Sequence, residues 1–442
     1  MTVQLPLYNE KYLATRVIKA ICDLEYPRDR LQIQVLDDSD DETRDIVDEA
    51  AWKFRDQGFD IHVLRRGHRE GYKAGALQHG LLTATGDYIA IFDADFVPHP
   101  RFLRDLLQNE DVFRDERVAF AQGKWTYLNR HRSGLTEAQA MLLDHHFIVH
   151  KPAQEFSGHV TTFNGSGGVW KRSALNAIGG WRSDSITEDL ELTYRAALAG
   201  YEGRYLSTLE VPNELPPDMR ALKLQQRRWA KGSTECVRIV LPKLWRAKMP
   251  FSQKLEESLT IAGYGIHPIM VAQFLLWPWA VTMMPRPAFL IAQAIVGAAS
   301  LAVPIGMAKA ARERGRKMSF SLIVDVVRAT AVGVGLMFSN TLAVLSAWFS
   351  NTPAVFERTP KVKSNAIADD YALKLQKSFY LELVGIAYAI WSAAFLVRHG
   401  EWMWSIAPGL WGCAFLIVVG YQLAARPMIA ADARESMPLP SA

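Results

Sequence analysis

Tyr88-Ile89-Ala90-Ile91-Phe92-Asp93-Ala94-Asp95 is a short apolar run that ends in two carboxylates separated by one residue. A run of this length, rich in branched and aromatic side chains, is typical of a buried β-strand. Similar runs come before it, at Val3–Leu5, Leu31–Leu36 and Ile61–Leu64. Helical patterns alternate with these runs, beginning near Glu10, Glu42 and Gly71. This alternation predicts an α/β fold, an open and mostly parallel sheet with helices on both faces.

The acidic clusters of this half follow predicted strands. Asp37-Asp38 come after Leu31–Leu36, and Asp93-Ala94-Asp95 come after Tyr88–Phe92. Ligands of open parallel sheets bind outside the carboxyl ends of the strands, so both clusters are expected at a binding edge. Two carboxylates one residue apart can hold a hard divalent cation, Mg²⁺ or Mn²⁺, which in turn ligates a diphosphate. The alternative is that an Asp-x-Asp pair is only a solvated loop or a helix cap.

Long apolar runs distinguish the second half of the chain. Ser258–Met284, Pro287–Met307 and Trp402–Ala425 contain no Asp, Glu, Lys or Arg, and each is long enough to cross a hydrocarbon layer of about 30 Å. Leu383–Val397 reaches that length when Ser378–Tyr380 is included. Buried helices of a soluble protein are the alternative, but those are normally shorter and amphipathic. The sequence therefore predicts an integral membrane protein.

Basic residues predict its orientation. The cluster from Lys309 to Lys317 follows the second run and is expected in the cytoplasm, because cytoplasmic loops carry an excess of Lys and Arg. Two crossings restore the side, so the first half is expected there too. Ser319–Ser350 contains Asp325 and Arg328 and precedes another basic stretch. If that stretch is also cytoplasmic, the segment is interfacial or re-entrant.

These patterns divide the 442 residues into three parts. Residues 1–250 are predicted to form a cytoplasmic domain, residues 251–425 a membrane region of about four spans with an interfacial or gating segment at 319–377, and residues 426–442 a cytoplasmic tail. The net charge of +4 is small and lies largely beside apolar runs, which suits an anionic leaflet better than nucleic acid. The three cysteines are far apart, which favours a reducing compartment. The compact length favours a bacterial inner membrane.

Asp189 lies in Ser185-Ile186-Thr187-Glu188-Asp189-Leu190, where helical periodicity begins. One interpretation is that Thr187, Glu188 and Asp189 cap this helix, because acidic residues favour the first turn. The other is that Asp189 is a general base that takes a proton from an acceptor hydroxyl group. Both can hold at once, because the start of a helix is a rigid platform.

Gln225-Gln226-Arg227-Arg228-Trp229 is the most unusual short string in the chain. Arg228 offers a fork of donors that matches phosphate oxygens, and Trp229 offers a flat face that suits a sugar ring. The alternative is a basic helix beside a lipid surface. The string alone does not decide between the two.

The order of these motifs resembles the processive members of glycosyltransferase family 2, a group that includes cellulose, hyaluronan and mannan synthases. Asp37-Asp38, Asp93-Ala94-Asp95, Thr187-Glu188-Asp189 and Gln225-x-x-Arg228-Trp229 occur in that order, before the apolar runs. Further strings are similar to the plant cellulose-synthase-like mannan and glucan synthases and their bacterial relatives. They are Gln4–Glu10, Arg69–Leu77 and Phe163–Trp170.

This resemblance implies a GT-A-type, Rossmann-like domain and a role for each motif. Tyr8, Glu10, Asp38 and Lys73 would line the nucleotide pocket, with Asp38 positioned to read the base. Asp93 and Asp95 would hold the diphosphate and its Mg²⁺ or Mn²⁺, and Asp189 would be the base. The acceptor site would be shaped by Gln225, Arg228 and Trp229, with Arg228 also facing the leaving phosphates.

A gating loop is implied by the string Phe356-Glu357-Arg358-Thr359-Pro360-Lys361. It is similar to the Phe-x-x-Thr-x-Lys pattern that closes over the donor in cellulose synthases, through Phe356, Thr359 and Lys361. Arg358 and Pro360 depart from the commonest form of that pattern. The alternative is an ordinary basic cytoplasmic loop.

The expected activity is an inverting transfer of a hexose from UDP-glucose or GDP-mannose to a growing β-glycan. One alternative is the transfer of a single sugar to a lipid, as in a β-glucosyldiacylglycerol synthase. Another is a transport or scaffold protein whose nucleotide-sugar domain is inactive. The expected partners are a nucleotide-sugar donor, a carbohydrate or lipid acceptor and membrane lipids, with no nucleic acid.

Overall fold

A computed structural model describes residues 1–109, 111–349 and 376–424. The predicted gating residues Phe356, Thr359 and Lys361 lie outside these ranges, as does the predicted tail at 426–442. Both expectations stay predictions.

The described residues contain a seven-stranded sheet in the order β3-β2-β1-β4-β6-β5-β7. Its strands are β1 (Thr2–Leu7), β2 (Gln32–Asp37), β3 (Asp60–Leu64), β4 (Tyr88–Ile91), β5 (Val118–Tyr127), β6 (Gly168–Lys171) and β7 (Glu202–Asn213). β6 is antiparallel to its neighbours β4 and β5, and the other pairs are parallel. The predicted mostly parallel sheet is confirmed.

Helices cover both faces of this sheet. The helices of the first half are α1 (Ala14–Cys22), α2 (Thr43–Asp56), α3 (Tyr72–Leu81), α4 (Phe102–Arg104), α5 (Gly134–Asp144), α6 (Lys151–Ser157), α7 (Arg172–Ala177), α8 (Glu188–Leu198) and α9 (Met219–Arg246). In β1, Val3, Leu5 and Leu7 belong to the apolar core beneath α1 and α2. A second apolar core on the sheet includes Leu77 of α3 and Leu192 of α8. The two-residue period of a strand explains this division.

The described residues of the second half form helices joined by short turns and irregular segments. Its helices are α10 (Phe251–Ile261), α11 (Ile266–Met283), α12 (Arg286–Ser300), α13 (Ala302–Glu313), α14 (Phe320–Gly335), α15 (Met337–Phe349), α16 (Lys377–Arg398) and α17 (Ile406–Ala424). Within the described ranges, five helical segments are long and apolar enough to cross a membrane, which supports an integral membrane protein. They are Gly263–Met283, Arg286–Glu313, Phe320–Phe349, Lys377–Arg398 and Trp402–Ala424.

The first candidate span starts later than the apolar run predicts. The run begins at Ser258, but α10 ends at Ile261 and a short 3₁₀ turn, Gly263–Gly265, separates it from α11. Residues 258–261 therefore belong to α10 and not to the first span. The run was defined by its lack of charged residues, and this criterion does not detect a break between two helices.

Phe320–Phe349 is the segment that the sequence treats as interfacial. By length and composition it is a fifth candidate span. Both of its ends nevertheless contact the first half of the chain: Leu322 packs in one apolar cluster with Leu135 of α5, and Arg238 of α9 donates to the carbonyl of Ala347. The count of four spans with one interfacial element stays a prediction.

The two halves share an apolar core. Leu135 and Met219 from the first half pack in one cluster with Met307, Leu322 and Val418 from the second. Continuous packing of this kind joins the two regions across the predicted boundary at residue 250.

Ion pairs border this core. Arg314 lies 2.8 Å from Asp144, and Arg316 lies 3.2 Å from Glu137. These two members of the predicted cytoplasmic cluster therefore contact acidic side chains of the first half, whereas the sequence suggested an anionic leaflet for such charges.

Candidate active site

The site begins where β1 and β2 end, side by side. Asn9 joins the two loops: its backbone N–H donates to Oγ of Ser39 at 2.9 Å, and its side-chain amide donates to Asp40 at 2.8 Å. Asn9 has a φ of 55°, in the left-handed region that is uncommon for residues other than glycine. The sheet and these hydrogen bonds fix Tyr8 and Asp38 at one edge.

Asp38 is held by a residue that the sequence did not single out. Nε of Arg66 lies 3.0 Å from Oδ1 of Asp38, and a second guanidinium nitrogen binds Oδ2. Arg66 also donates to the backbone carbonyls of Glu70 and Tyr72, at 2.7 and 3.0 Å. The paired Asp38 and Arg66 side chains are 7% and 6% exposed, so this pair is rigid and largely screened from water.

Gly75 leaves the space that Arg66 needs. A Cβ atom at this position of α3 would overlap the carbonyl oxygen of Glu70 and the guanidinium of Arg66. Steric exclusion of a side chain therefore explains why a glycine occupies position 75 of the Lys73-Ala74-Gly75 string.

Tyr8 carries the guanidinium of Arg69 on its ring, 3.2 Å from the ring centroid. Both residues line the cleft, together with Glu10 and Tyr72. The buried Nε of Arg69 has no hydrogen-bond partner among the described residues. Tyr72 has a φ of 48°, and a strained residue beside a cleft is typical of a binding site.

Asp93 and Asp95 lie at the carboxyl end of β4 and line the same cleft. Nζ of Lys73 is 2.6 Å from Oδ1 of Asp93, and Ser166 Oγ accepts the backbone N–H of Asp93 at 2.9 Å. Burial alone would lower the pKa of Lys73, but Asp93 and Glu188 outweigh it and raise that pKa above its ordinary value. Lys73 is therefore a firmly charged cation in the cleft.

This pair of carboxylates suits Mg²⁺ or Mn²⁺ bound together with a diphosphate. No group of three or more His, Cys, Asp or Glu side chains arranged for a metal occurs among the described residues. Magnesium usually keeps several waters and takes one or two carboxylates together with phosphate oxygens. Asp93 and Asp95 match that smaller requirement.

Asp189 is in the first turn of α8 and faces the glycine-rich string. A Cβ atom on Gly165 would lie 2.8 Å from Oδ2 of Asp189. Gly165 has a φ of 79°, and its carbonyl accepts from Nζ of Lys73 at 2.9 Å. The backbone of Gly165, which has no side chain, therefore lies between Lys73 and Asp189.

The carboxyl groups of Glu188 and Asp189, both in this first turn, have raised pKa values. Burial raises the pKa of Glu188 to about 7, against the nearby charge of Lys73. Burial also raises the pKa of Asp189, again opposed by Lys73. Thr187 makes no side-chain capping hydrogen bond, so capping by that residue is not observed.

Helix α9 carries Gln225, Arg228 and Trp229, which line the cleft opposite the strand ends. Asp218 caps its start by accepting from the backbone N–H groups of Arg220 and Ala221, at 2.9 and 3.0 Å. Burial lowers the pKa of Arg228, while the site carboxylates oppose this change. An arginine stays charged under such conditions.

The segment before α8 is fastened to α9. Glu235 accepts from the backbone N–H of Ile186 at 3.0 Å, and Ser185 donates to the carbonyl of Gly232 at 3.0 Å. A Cβ atom on Gly232 would lie 2.5 Å from Cγ2 of Thr187. This close approach fixes Asp189 relative to Arg228.

The structure brings together every predicted site residue outside the gating loop. It adds others that the sequence missed or mentioned only in passing. Trp125 lines the cleft, donates to the carbonyl of Ser166 and stacks on Phe147. Arg69 and Tyr72 belong to the string Arg69–Leu77, but the resemblance implied no role for either residue. Nothing in the sequence around Arg66 indicates a role in the site, except that it lies three residues before the string Arg69–Leu77.

Comparison with known proteins places these features in a family. The family model described as "Glycosyltransferase like family 2" matches residues 1–232, more than half of the chain. The chain belongs to this family. The matched residues include Asp38, Asp93, Asp189 and Arg228.

Curated relatives within the family include several plant proteins. Glucomannan 4-beta-mannosyltransferase 2 of Arabidopsis thaliana is 38% identical over 250 residues, which cover 56% of this chain and 46% of that protein. Glucomannan 4-beta-mannosyltransferase 7 of the same plant is 32% identical over 349 residues, covering 76% of this chain and 62% of that protein. The chain thus spans about half to three fifths of the length of these relatives. They give no support to the expected bacterial inner membrane.

A solved structure shares the fold. Mannosyltransferase PcManGT from Pyrobaculum calidifontis, in complex with GDP-Man and Mn²⁺, aligns with a TM-score of 0.50 at 22% identity. The alignment covers 79% of this chain and 87% of that one. This likeness confirms the predicted GT-A-type architecture.

Proposed function

We propose that this protein is a membrane-bound inverting glycosyltransferase that transfers a hexose, mannose or glucose, from a nucleotide diphosphate to a growing β-glycan. The observation that carries the proposal is the meeting of Asp93, Asp95, Asp189 and Arg228 in one cleft. Carboxylates for a cation, a buried carboxylate for a proton and an arginine for phosphate are the groups that glycosyl transfer requires. The names of the plant relatives favour mannose.

The nucleotide would occupy the edge formed by β1 and β2. Asp38, fixed by Arg66, presents a carboxylate for ring N–H groups of the base. Tyr8, which carries the Arg69 guanidinium on its ring, borders the same space. Lys73 supplies a positive charge beside Asp93, where the diphosphate would lie.

A divalent cation is part of this proposal. Asp93 and Asp95 would hold it, and it would neutralise charge that develops on the leaving diphosphate. The mannosyltransferase from Pyrobaculum calidifontis was solved in complex with GDP-Man and Mn²⁺, which favours Mn²⁺ among the ions to test here.

Transfer would proceed as a single displacement. Asp189 removes the proton from the acceptor hydroxyl group, and that oxygen attacks the anomeric carbon opposite the nucleotide. Arg228 stabilises the departing diphosphate. The raised pKa of Asp189 suits this role, since a base is most efficient when its pKa approaches the working pH. An α-linked donor would give a β-linked product.

The acceptor would enter along α9, where Trp229 offers a stacking face. A glycan is favoured over a lipid because the curated relatives are named for glucomannan. The transfer of one sugar to a lipid is the alternative that product analysis must exclude.

We also propose that the catalytic domain is cytoplasmic. Arg314 and Arg316 lie on the same side as that domain because they bind its acidic residues. A basic loop on the cytoplasmic side then fixes the orientation of the whole chain.

The test uses membranes that contain the full chain, with labelled GDP-mannose or UDP-glucose and either Mn²⁺ or Mg²⁺. Label in a high-molecular-weight fraction would support the proposal if β-mannanase or β-glucanase digests that fraction and releases the label. The nucleotide sugar that supplied this label is then the donor. Label confined to the organic phase would favour the lipid acceptor. Absence of label from both fractions, with nucleotide binding intact, would contradict a transferase.

A further inference from the structure

Helix α9 lies between the candidate active site and the membrane region. Gln225, Arg228 and Trp229 face the cleft. Lys223 lies about 140° around the helix from Arg228, since each residue turns about 100°. Its side chain points to the membrane helices instead.

Lys223 forms an ion pair inside that region. Its ammonium binds Oε1 of Glu382 in α16, and both side chains are fully buried. Gln422 of α17 donates to Oε2 of the same carboxylate at 2.7 Å. Ser378 accepts from Lys223 at 3.4 Å. Four polar side chains from three helices thus converge on one point.

A second contact extends this attachment toward the start of α9. Gln376, just before α16, donates to the backbone carbonyl of Arg220 at 3.4 Å. The first turns of α9 are therefore tied to α16 at two levels, immediately before Gln225.

Neighbouring contacts along α9 are uncharged. Ala230 packs against Ala343 and Val344, and Tyr264 donates to Gln226 at 3.0 Å. Among the described contacts of α9 with the membrane helices, Lys223 with Glu382 is the fully buried ion pair. Such a pair is costly to break and strict in geometry, so it restricts rotation and sliding of the helix more than apolar contacts do.

We propose that Lys223 and Glu382 are positioning residues for the acceptor side of the site. Their ion pair sets the rotation and axial position of α9, and so the places of Gln225, Arg228 and Trp229. This role deepens the proposed function and rests on it for its effect on turnover. Its structural part can be measured without turnover.

The first experiment follows the backbone. Hydrogen–deuterium exchange of residues 219–232 is compared between the parent and Glu382→Gln, which removes the charge but keeps the shape. We expect faster exchange in this segment and no change in α1. Unchanged exchange at 219–232 would overturn the proposal even if the parent had no transferase activity.

The second experiment separates position from stability. Glu382→Gln is compared with the apolar pair Lys223→Met/Glu382→Leu and the reversed pair Lys223→Glu/Glu382→Lys. We expect Glu382→Gln and the apolar pair to lose about tenfold or more in kcat, with the KM for the donor unchanged. The apolar pair should keep the parent's melting temperature, and the reversed pair should regain part of the lost kcat.

Arg286 and Glu401 provide a matched control, since they form an ion pair 3.2 Å apart elsewhere in the helical region. Arg286→Met/Glu401→Leu should leave kcat and exchange at 219–232 unchanged. If the apolar pair at 223 and 382 turns over like the parent, the ion pair is structural only. If the parent transfers no sugar while Glu382→Gln loosens 219–232, the proposed function fails and the positioning role stands.

Discussion

Nζ of Lys73 lies 2.6 Å from Oδ1 of Asp93, the first carboxylate of the Asp-x-Asp pair. If the proposed divalent cation binds Asp93, it would compete with Lys73 for the same oxygen until a diphosphate binds both. In Lys73→Met we expect tighter Mn²⁺ binding without nucleotide, because the competing charge is gone, and weaker binding of GDP or UDP. Electron paramagnetic resonance of free Mn²⁺ and calorimetry with the nucleotides measure the two effects.

Lys124 offers a control for this substitution, since it pairs with Glu210 at 3.0 Å outside the cleft lining. Lys124→Met should change neither affinity. Weaker Mn²⁺ binding in Lys73→Met would show that Lys73 does not compete for Asp93.

Asp189 is expected to limit the rate at low pH. Its pKa is raised by burial, so the base becomes protonated, and kcat falls, at a higher pH than for an ordinary aspartate. In Glu188→Gln this acidic limb should stay where it is, because the pKa of Asp189 is raised by burial and by Asp93. Glu188, with a pKa raised to about 7, is itself protonated at the lower pH where Asp189 titrates. The pH profiles of kcat of the two proteins make this comparison, and a limb displaced in Glu188→Gln would contradict it.

Replacement of Asp189 itself tests its role. In Asp189→Asn we expect kcat to fall about 10²- to 10⁴-fold with nucleotide binding retained, the usual contribution of a general base. The exposed Asp184 supplies the matched Asp184→Asn control. Substantial turnover by Asp189→Asn would remove this residue from the role of base.

Gly232 is where α9 approaches the segment that carries Asp189. In Gly232→Ala the new methyl group meets Thr187 and Ile186, at 2.5 and 2.7 Å, so the two elements must separate. A displacement of about 1 Å can reduce turnover about 10²-fold, and we expect a loss of that order in kcat with a smaller change in donor KM. Steady-state kinetics on membranes give both constants.

Gly297 in α12 is the matched control, because a Cβ atom there meets nothing within 4 Å. Gly297→Ala should leave kcat unchanged. Equal kinetics for the two glycine variants would mean that the close approach at Gly232 does not position the base.

Arg66 is expected to govern donor binding through Asp38. In Arg66→Met the carboxylate loses two charge-assisted hydrogen bonds and its fixed orientation, so donor KM should rise about 10- to 100-fold. Gly75→Ala should act in the same direction, because its methyl group would displace Arg66. Nucleotide titration and donor KM measure the effect.

Arg114, exposed and outside the cleft lining, serves as the control through Arg114→Met. A normal donor KM in Arg66→Met would show that Asp38 is oriented by other contacts or does not bind the base.

The fold and most of the candidate site could be predicted because their signals are local. Apolar runs such as Tyr88–Phe92 end where the strands end, and acidic residues follow directly. Parallel pairing then brings distant motifs, for example Asp38 and Asp93, to one edge of the sheet.

What the sequence did not reveal depends on contacts between distant elements. Arg66 matters because it reaches Asp38 and two backbone carbonyls, and nothing in its own neighbourhood indicates this. Lys223 and Glu382 are 159 residues apart. Arg314 and Arg316 belong to the basic cluster that predicted a cytoplasmic loop. Their ion-pair partners Asp144 and Glu137 lie far away in the chain, so the sequence did not indicate these contacts.

The apolar core shared by Leu135, Met219, Leu322 and Val418 has a practical consequence for anyone who wishes to crystallise the first 250 residues alone. Cutting the chain there would uncover one side of α5 and leave Asp144 and Glu137 with Arg130 but without Arg314 and Arg316. Such a fragment would expose the apolar surface that the membrane helices cover, and it is expected to aggregate. A detergent or nanodisc preparation of the longer polypeptide is the better starting material.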